Sequence, residues 1–283
     1  MSKWIDALQR LTGTKAHLRN RLRLKVKGWY DLSHWSESLK IAGTRAPDGD
    51  DFNRAWSKQS VAHTSSLMAL VGYFAEQPQL ARQYAKQSIE ATMEFLFGDW
   101  RNTYITEEGH ADPIYWKRHF SWMDEFESAL LWGSVLGDWQ TVQRLATFPE
   151  PDSHIDGGYR PQDRDVLVAL GAFLCNSTDL PAKLQRAATG HRKTCLLTLE
   201  MIEACIARDQ HSLQRALIQF LSHYKKTEFP KEQITLKVSF KATFFFHWAS
   251  KGGLSIQIPP EYSDHIVPSD LIARSEATEL RSS

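Results

Sequence analysis

The sequence predicts an all-α protein, built from antiparallel helical hairpins stacked in a bundle or a short solenoid-like array. Three observations predict it. Apolar residues recur at three-and-four spacing around 58–97, 120–148 and 195–225, the period that collects side chains on one helix face. Two of these stretches are broken by a stop followed by an aspartate, Gly137–Asp138 and Arg208–Asp209, and continue with related wording, DWQTVQRL and DQHSLQRA. The one run that alternates at period two, Ile234, Leu236, Val238 and Phe240, passes into Val238, Lys241, Ala242, Phe245 and Trp248 at helical spacing and ends at Gly252–Gly253. In an otherwise helical chain it reads as a helix.

The elements follow in chain order. Residues 1–55 form an amphipathic N-terminal segment. Within it Lys15, Arg19, Arg21, Arg23, Lys25 and Lys27 accompany an apolar stripe of Leu18, Leu22 and Val26. The pattern fits a helix with a solvated basic face; contact with nucleic acid or anionic lipid is the sharper alternative. Trp29, Tyr30 and Trp35 dock the segment on the body. Pro47 and Gly49 mark a turn carrying Asp48, Asp50 and Asp51. It is an acidic loop and not a calcium site, because the bidentate acid that closes such a loop is missing. Residues 56–97 hold a helix pair. Val61, Met68, Val71 and Gly72 lie on its first member, and Ala81, Tyr84, Ala85, Ser88 and Thr92 on its second, with Pro78 where a first-turn proline is tolerated.

Residues 98–113 are a polar loop. The central hairpin then carries Phe126, Ala129, Leu130, Gly133 and Leu136 on one helix and Val142, Leu145 and Ala146 on the next. Gly137 suits a helix end and Asp138 an N-cap. Residues 148–165, with three prolines and two glycines, are the strongest break, a linker or a long loop. Leu199, Ile202, Cys205 and Ile206 make the next stripe. Leu213, Ala216, Leu217, Phe220, Leu221 and Tyr224 make its partner, with Asp209 as N-cap. Pro259, Pro260 and Pro268 punctuate an extended tail that packs across this last hairpin, and 273–283 fray. The organisation expected is one domain over 1–283, with 1–55 packed on a body of 56–272.

Composition narrows the functional classes. Lys+Arg of 34 against Asp+Glu of 33 argues against a dedicated nucleic-acid binder. Cys175, Cys195 and Cys205 are odd in number and lack metal-type spacing, which fits a reduced, cytoplasmic setting. The N-terminus has no signal-peptide run, and no stretch approaches the roughly 20 apolar residues of a membrane span. No serine-hydrolase elbow, phosphate-binding glycine loop, HExxH or paired CxxC occurs. The richest polar cluster is His110, Asp112, His119, Asp124, Glu125 and Glu127. It lacks the Glu-x-x-His of helical di-metal sites and reads as an exposed face of the central hairpin. His63, His191, His211 and His223 show no ligating pattern, and His247 reads as a satisfied core histidine. No nucleophile, metal ligand or cofactor is expected.

Three stretches resemble the immunity protein 49 family of bacterial polymorphic toxin systems: ESALLWGSVLGDWQTVQRL, ACIARDQHSLQRALIQFLSHY and the closing EYSDHIVPSDLI. Together they cover the C-terminal two thirds. The resemblance implies a cytoplasmic, all-helical protein that binds a cognate toxin, often a nuclease, and neutralises it without catalysis. It assigns no residue a role. A helical-repeat adaptor for a protein or peptide is the alternative, and a helical-bundle metalloenzyme using the His110–Glu127 cluster is another. Were the partner a nuclease, its phosphate-binding groove would be cationic, and acids would face it. The candidates are Asp48, Asp50, Asp51, Glu107, Glu108, Asp124, Glu125 and Glu127, with Trp122 as the aromatic anchor.

Overall fold

The computed structural model describes residues 51–74, 77–98, 122–148, 160–228 and 238–269. The basic segment 15–27, Asp48, Asp50, Glu107, Glu108, His110, Asp112, His119, residues 149–159 and the end 273–283 lie outside the described residues. Among the described residues every regular element is a helix and there is no strand. None of the helices is long and apolar enough to cross a membrane. Contacts cluster into two compact units, Met1–Trp116 with Ser269–Ser283, and Lys117–Pro268.

In the first unit α1 (Asp51–Phe74) and α2 (Pro78–Phe97) form the expected hairpin. Pro78 starts α2 within its first turn, where its missing N–H has no helical partner to lose. Gly72 faces Ala81, the Ser88 hydroxyl donates to the Ala62 carbonyl at 2.9 Å, and Lys58 pairs with Glu94. These three contacts run in opposite directions along the two helices, so the pair is antiparallel. A Cβ at Gly72 would lie 2.8 Å from the Ala81 amide nitrogen. Glycine is required there because backbone, which cannot yield, occupies the space.

The second unit begins with α3 (Met123–Leu136) and α4 (Trp139–Leu145). Phe126, Ala129, Leu130 and Gly133 of the expected stripe are buried and Leu136 is half-buried, but burial on α3 extends well beyond the stripe. Leu131, Trp132 and Val135 are covered too, with Leu131 and Trp132 at 0 % exposure. A helix covered on most of its circumference no longer needs a one-sided pattern. Gly133 lets α4 come close: a Cβ there would meet Val142 Cγ2 at 2.9 Å.

Residues 160–188, which start inside the 148–165 stretch expected as a break and run past it, hold two helices. These are α5 (Pro161–Leu174) and α6 (Leu180–Ala188). Pro161 and Asp163 belong to the first turn of α5 and not to a linker. The physical reason is positional: proline ends a helix in its interior but starts one at its first turn. Asp165, buried on α5, accepts from Arg186 Nε of α6 at 3.1 Å. Next come α7 (Lys193–Ile206) and α8 (Gln210–Thr227), packed along each other. Helix α9 (Phe240–Lys251) lies against α3 and also touches α7 and α8. The ambiguous run around Val238 is therefore helical from Phe240, with Ser239 as N-cap accepting from the Ala242 amide.

The tail after α9 lies along α8, as expected. Gln214 holds the Gln257 backbone on both sides, accepting from its N–H and donating to its carbonyl. Lys225 Nζ donates to the Glu261 carbonyl at 3.0 Å. His247 Nε2 lies 2.8 Å from the Val267 carbonyl, which fixes the end of this clasp. Burial holds His247 below the ordinary histidine range, against a smaller upward pull from that carbonyl. A histidine that is neutral when folded supports stability above the usual value of about 6.5, and that support drains as pH falls through it. Thermal melts between about pH 7 and 5 should show Tm falling with acid, and less steeply in His247→Gln. Equal slopes would remove His247 as the cause.

Four of the helix stops share one closure. The N–H of Ser177, Asp209, Leu254 and Asp138 each reach the carbonyl five residues back, on Ala172, Ala204, Ala249 and Gly133. The residue before each donor takes a left-handed conformation. It is glycine twice, Gly137 (φ 71°) and Gly253 (φ 77°), but Asn176 (φ 50°) and Arg208 (φ 52°) at the other two. Asp138 and Asp209 then cap the following helices, accepting from the amides of Thr141, and of His211 and Ser212. Arg208 thus occupies a glycine's position. A left-handed non-glycine residue is strained by about 1–2 kcal/mol, offset in part by glycine's greater freedom when unfolded. Arg208→Gly is expected to raise stability by about 0.5–1 kcal/mol in urea titrations. A loss would show instead that the arginine's charge at the end of α7 outweighs the strain.

Candidate functional site

The central hairpin does not present its acids together. Asp124 is exposed, but Glu125 is only 4 % exposed, and Glu127 Oε1 takes an ion pair from Lys241 Nζ at 3.0 Å. Trp122 is also buried, edge-on to Phe126 at 5.5 Å and tilted on Phe148 at 5.6 Å. The expectation of an exposed face bearing Trp122, Glu125 and Glu127 therefore does not match their placement. Because α3 is covered on most of its circumference, its polar positions turn inward too. Asp51 opens α1 in the other unit. Among the described residues no group of three histidine, cysteine or acidic side chains gathers as metal ligands would.

Behind Glu127 lies a partly buried polar centre drawn from four helices. Lys241 of α9 meets Glu127 of α3, and Asp163 of α5 meets Arg192, the N-cap of α7. Cys195 Sγ donates to Asp163 Oδ1 at 3.2 Å. Gln162 accepts from the Arg192 amide at 3.1 Å and donates to the Ala187 carbonyl at 3.3 Å. Burial, and then the Asp163 carboxylate, push the Cys195 thiol up to about 11. A thiol in that range holds its proton at neutral pH and is a poor nucleophile. Burial draws Lys241 down, but Glu127, with Cys195 and Asp163, outweighs it and leaves the ammonium above its ordinary value. Tyr224 is raised by burial, with Glu228 and Glu127 adding to it, and its hydroxyl donates to the Val238 carbonyl at 3.0 Å. Every group here has a neighbour that stabilises its resting state, so the centre ties helices together.

An open groove of about 540 Å³ lies elsewhere on this unit, where α5, α7 and α9 end and α6 begins. Phe173, Leu180, Trp248 and Leu254 give it apolar walls, and Ile206 stands at its edge 50 % exposed. Ile206 had been expected in the buried stripe of α7. Leu199 and Ile202 keep that expectation at 5 % and 0 %, but the last turn runs past the helices that cover them. Trp248 is held by ring contacts with Phe173 at 5.2 Å and Trp139 at 5.7 Å. Arg208 and Lys251 line the same groove, and among the described residues no carboxylate does. Lys251 Nζ sits 4.5 Å from the Trp139 ring centre and 5.3 Å from that of Trp248. The Cys205 thiol, also in the wall, is pushed by burial up to about 12 and stays protonated. The sequence carried one signal of this site, an arginine standing where the sister hairpin has glycine.

Comparison with known proteins finds no family model, curated protein or solved structure that the chain matches.

Proposed function

We propose that the protein is a non-catalytic binding protein, an immunity protein that docks a cognate bacterial toxin in the cytoplasm and neutralises it. The observation that carries a docking role is the groove, with Ile206 half-exposed beside Trp248. A single exposed aliphatic side chain is ordinary on a protein surface. One that borders an open groove with apolar walls and a packed tryptophan ring is an arrangement that suits a binding site. The toxin as partner rests on the family resemblance of the three stretches described above. Packed hairpins suit the role because they hold a surface rigid without help from the ligand.

The test is to look for a toxin gene beside this one and co-express its product with the protein. Growth should be restored, and the two chains should co-elute as a complex of defined stoichiometry. Toxicity that persists in full, with no complex, would end this reading. The groove also suits an adaptor, which would bind its partner and leave the partner's activity intact; an assay of the bound partner separates the two.

A further inference from the structure

The groove's lining points to a specific class of occupant. We infer that it receives a partner-protein segment carrying an apolar side chain next to a carboxylate, the apolar group against Ile206 and Trp248 and the carboxylate at Arg208 and Lys251. This rests on the reading of the protein as a protein-binding module and adds the chemistry of what is bound. Charge complementarity carries the inference. Among the described residues two cations line the groove and no acid does, and neither cation has an ion-pair partner. The two acids that adjoin lining residues in sequence, Asp209 beside Arg208 and Asp179 beside Leu180, have partners of their own. Asp209 accepts from the His211 and Ser212 amides, and Asp179 takes Lys183 and the Ser177 hydroxyl.

The ends of α5, α7 and α9 bring negative partial charge, about half a unit each. The start of α6 offsets one of them. Their closing carbonyls are already bonded by Ser177, Asp209 and Leu254, and among the described residues the full charges that line the groove are those of Arg208 and Lys251. Arg208 adds a second line of support. It keeps a long cationic side chain at a left-handed position where glycine is easier, and local strain of that kind collects at working sites. Lys251 is kept over its two rings by cation–π attraction, so its charge is in place before anything binds. A carboxylate-bearing segment is not the phosphate-binding surface of a nuclease, which is cationic. For such a partner this contact would lie outside the substrate groove.

The test selects short random peptides, displayed on phage, against the full chain and against Arg208→Glu/Lys251→Glu. The expected result is enrichment of peptides with Asp or Glu near Leu, Phe or Trp. Their affinity should fall about tenfold or more on the double variant and on Ile206→Ser. Arg208→Gly, which relieves the left-handed strain, keeps the test alive should the double variant fail to fold. It too should weaken these peptides while circular dichroism stays unchanged. Basic or uncharged consensus peptides, or acidic ones indifferent to Arg208 and Lys251, would overturn the inference while leaving a protein-binding role standing. No enriched peptide, with dodecanoate binding that is lost on Arg208→Gly, would overturn both in favour of a small anionic amphiphile. No enriched peptide and no dodecanoate binding would overturn the groove as a docking site.

Discussion

Leu130→Asp is expected to yield unfolded or insoluble protein. Leu130 is 3 % exposed, and its neighbours Ala129, Leu131 and Trp132 are at 0 %. The substitution removes about 2–3 kcal/mol of apolar burial and places a carboxylate in a region of leucine, phenylalanine and tryptophan. Burying such a charge without a partner adds several kcal/mol more, or forces the group to protonate. Whole-protein stability is of order 5–15 kcal/mol, so the two together remove most or all of it. Far-ultraviolet circular dichroism and solubility after lysis are the readouts. A soluble variant with the parent's melting point would mean that α3 is not enclosed as described.

Lys241→Met should give the next largest loss, about 2–3 kcal/mol. It strands Glu127, whose side chain is 25 % exposed, with no cation beside it. Fully buried pairs lose about 3–5 kcal/mol when one partner is removed, and the partial exposure of Glu127 brings the figure down. The double variant Glu127→Gln/Lys241→Met should recover part of the loss, because two neutral side chains leave no isolated charge. A double-mutant cycle in urea measures the coupling directly. The raised Lys241 predicts the pH range as well. The pair's support is complete below the usual lysine value of about 10.4 and is lost as pH rises through the higher folded value. Additive losses in the cycle would show that the pair contributes nothing as a pair.

Much of the local plan was legible. Hairpin spacing, the first-turn proline at Pro78 and the caps at Asp138 and Asp209 depend on residues within a turn or two of each other, so the sequence states them directly. Even the parallel between Gly137–Asp138 and Arg208–Asp209 holds in the backbone: both first residues are left-handed and both aspartates cap. The helix reading of the run beyond Val238 held because its later apolar positions keep a helical period through Trp248.

Where periodicity vanishes, the sequence was silent. From Val166 to Leu174 every residue of α5 is buried, so no stripe marks the helix, and the prolines before it read as a break. Whether a helical position faces a neighbour, water or a ligand depends on which other helices end nearby. Spacing told that Ile202 and Ile206 share a face of α7; only the packing decided that Ile202 is covered and Ile206 half-exposed. The same holds for charge. Asp124, Glu125 and Glu127 looked equivalent in sequence, yet one is exposed, one is buried and one is taken by Lys241. The sequence alone determined an all-helical chain, its hairpins and their caps, because those are settled by short-range hydrogen bonding and hydrophobic period. Tertiary structure alone decided the polar centre and the cationic apolar groove, because both are assembled from helix ends that only long-range packing brings together.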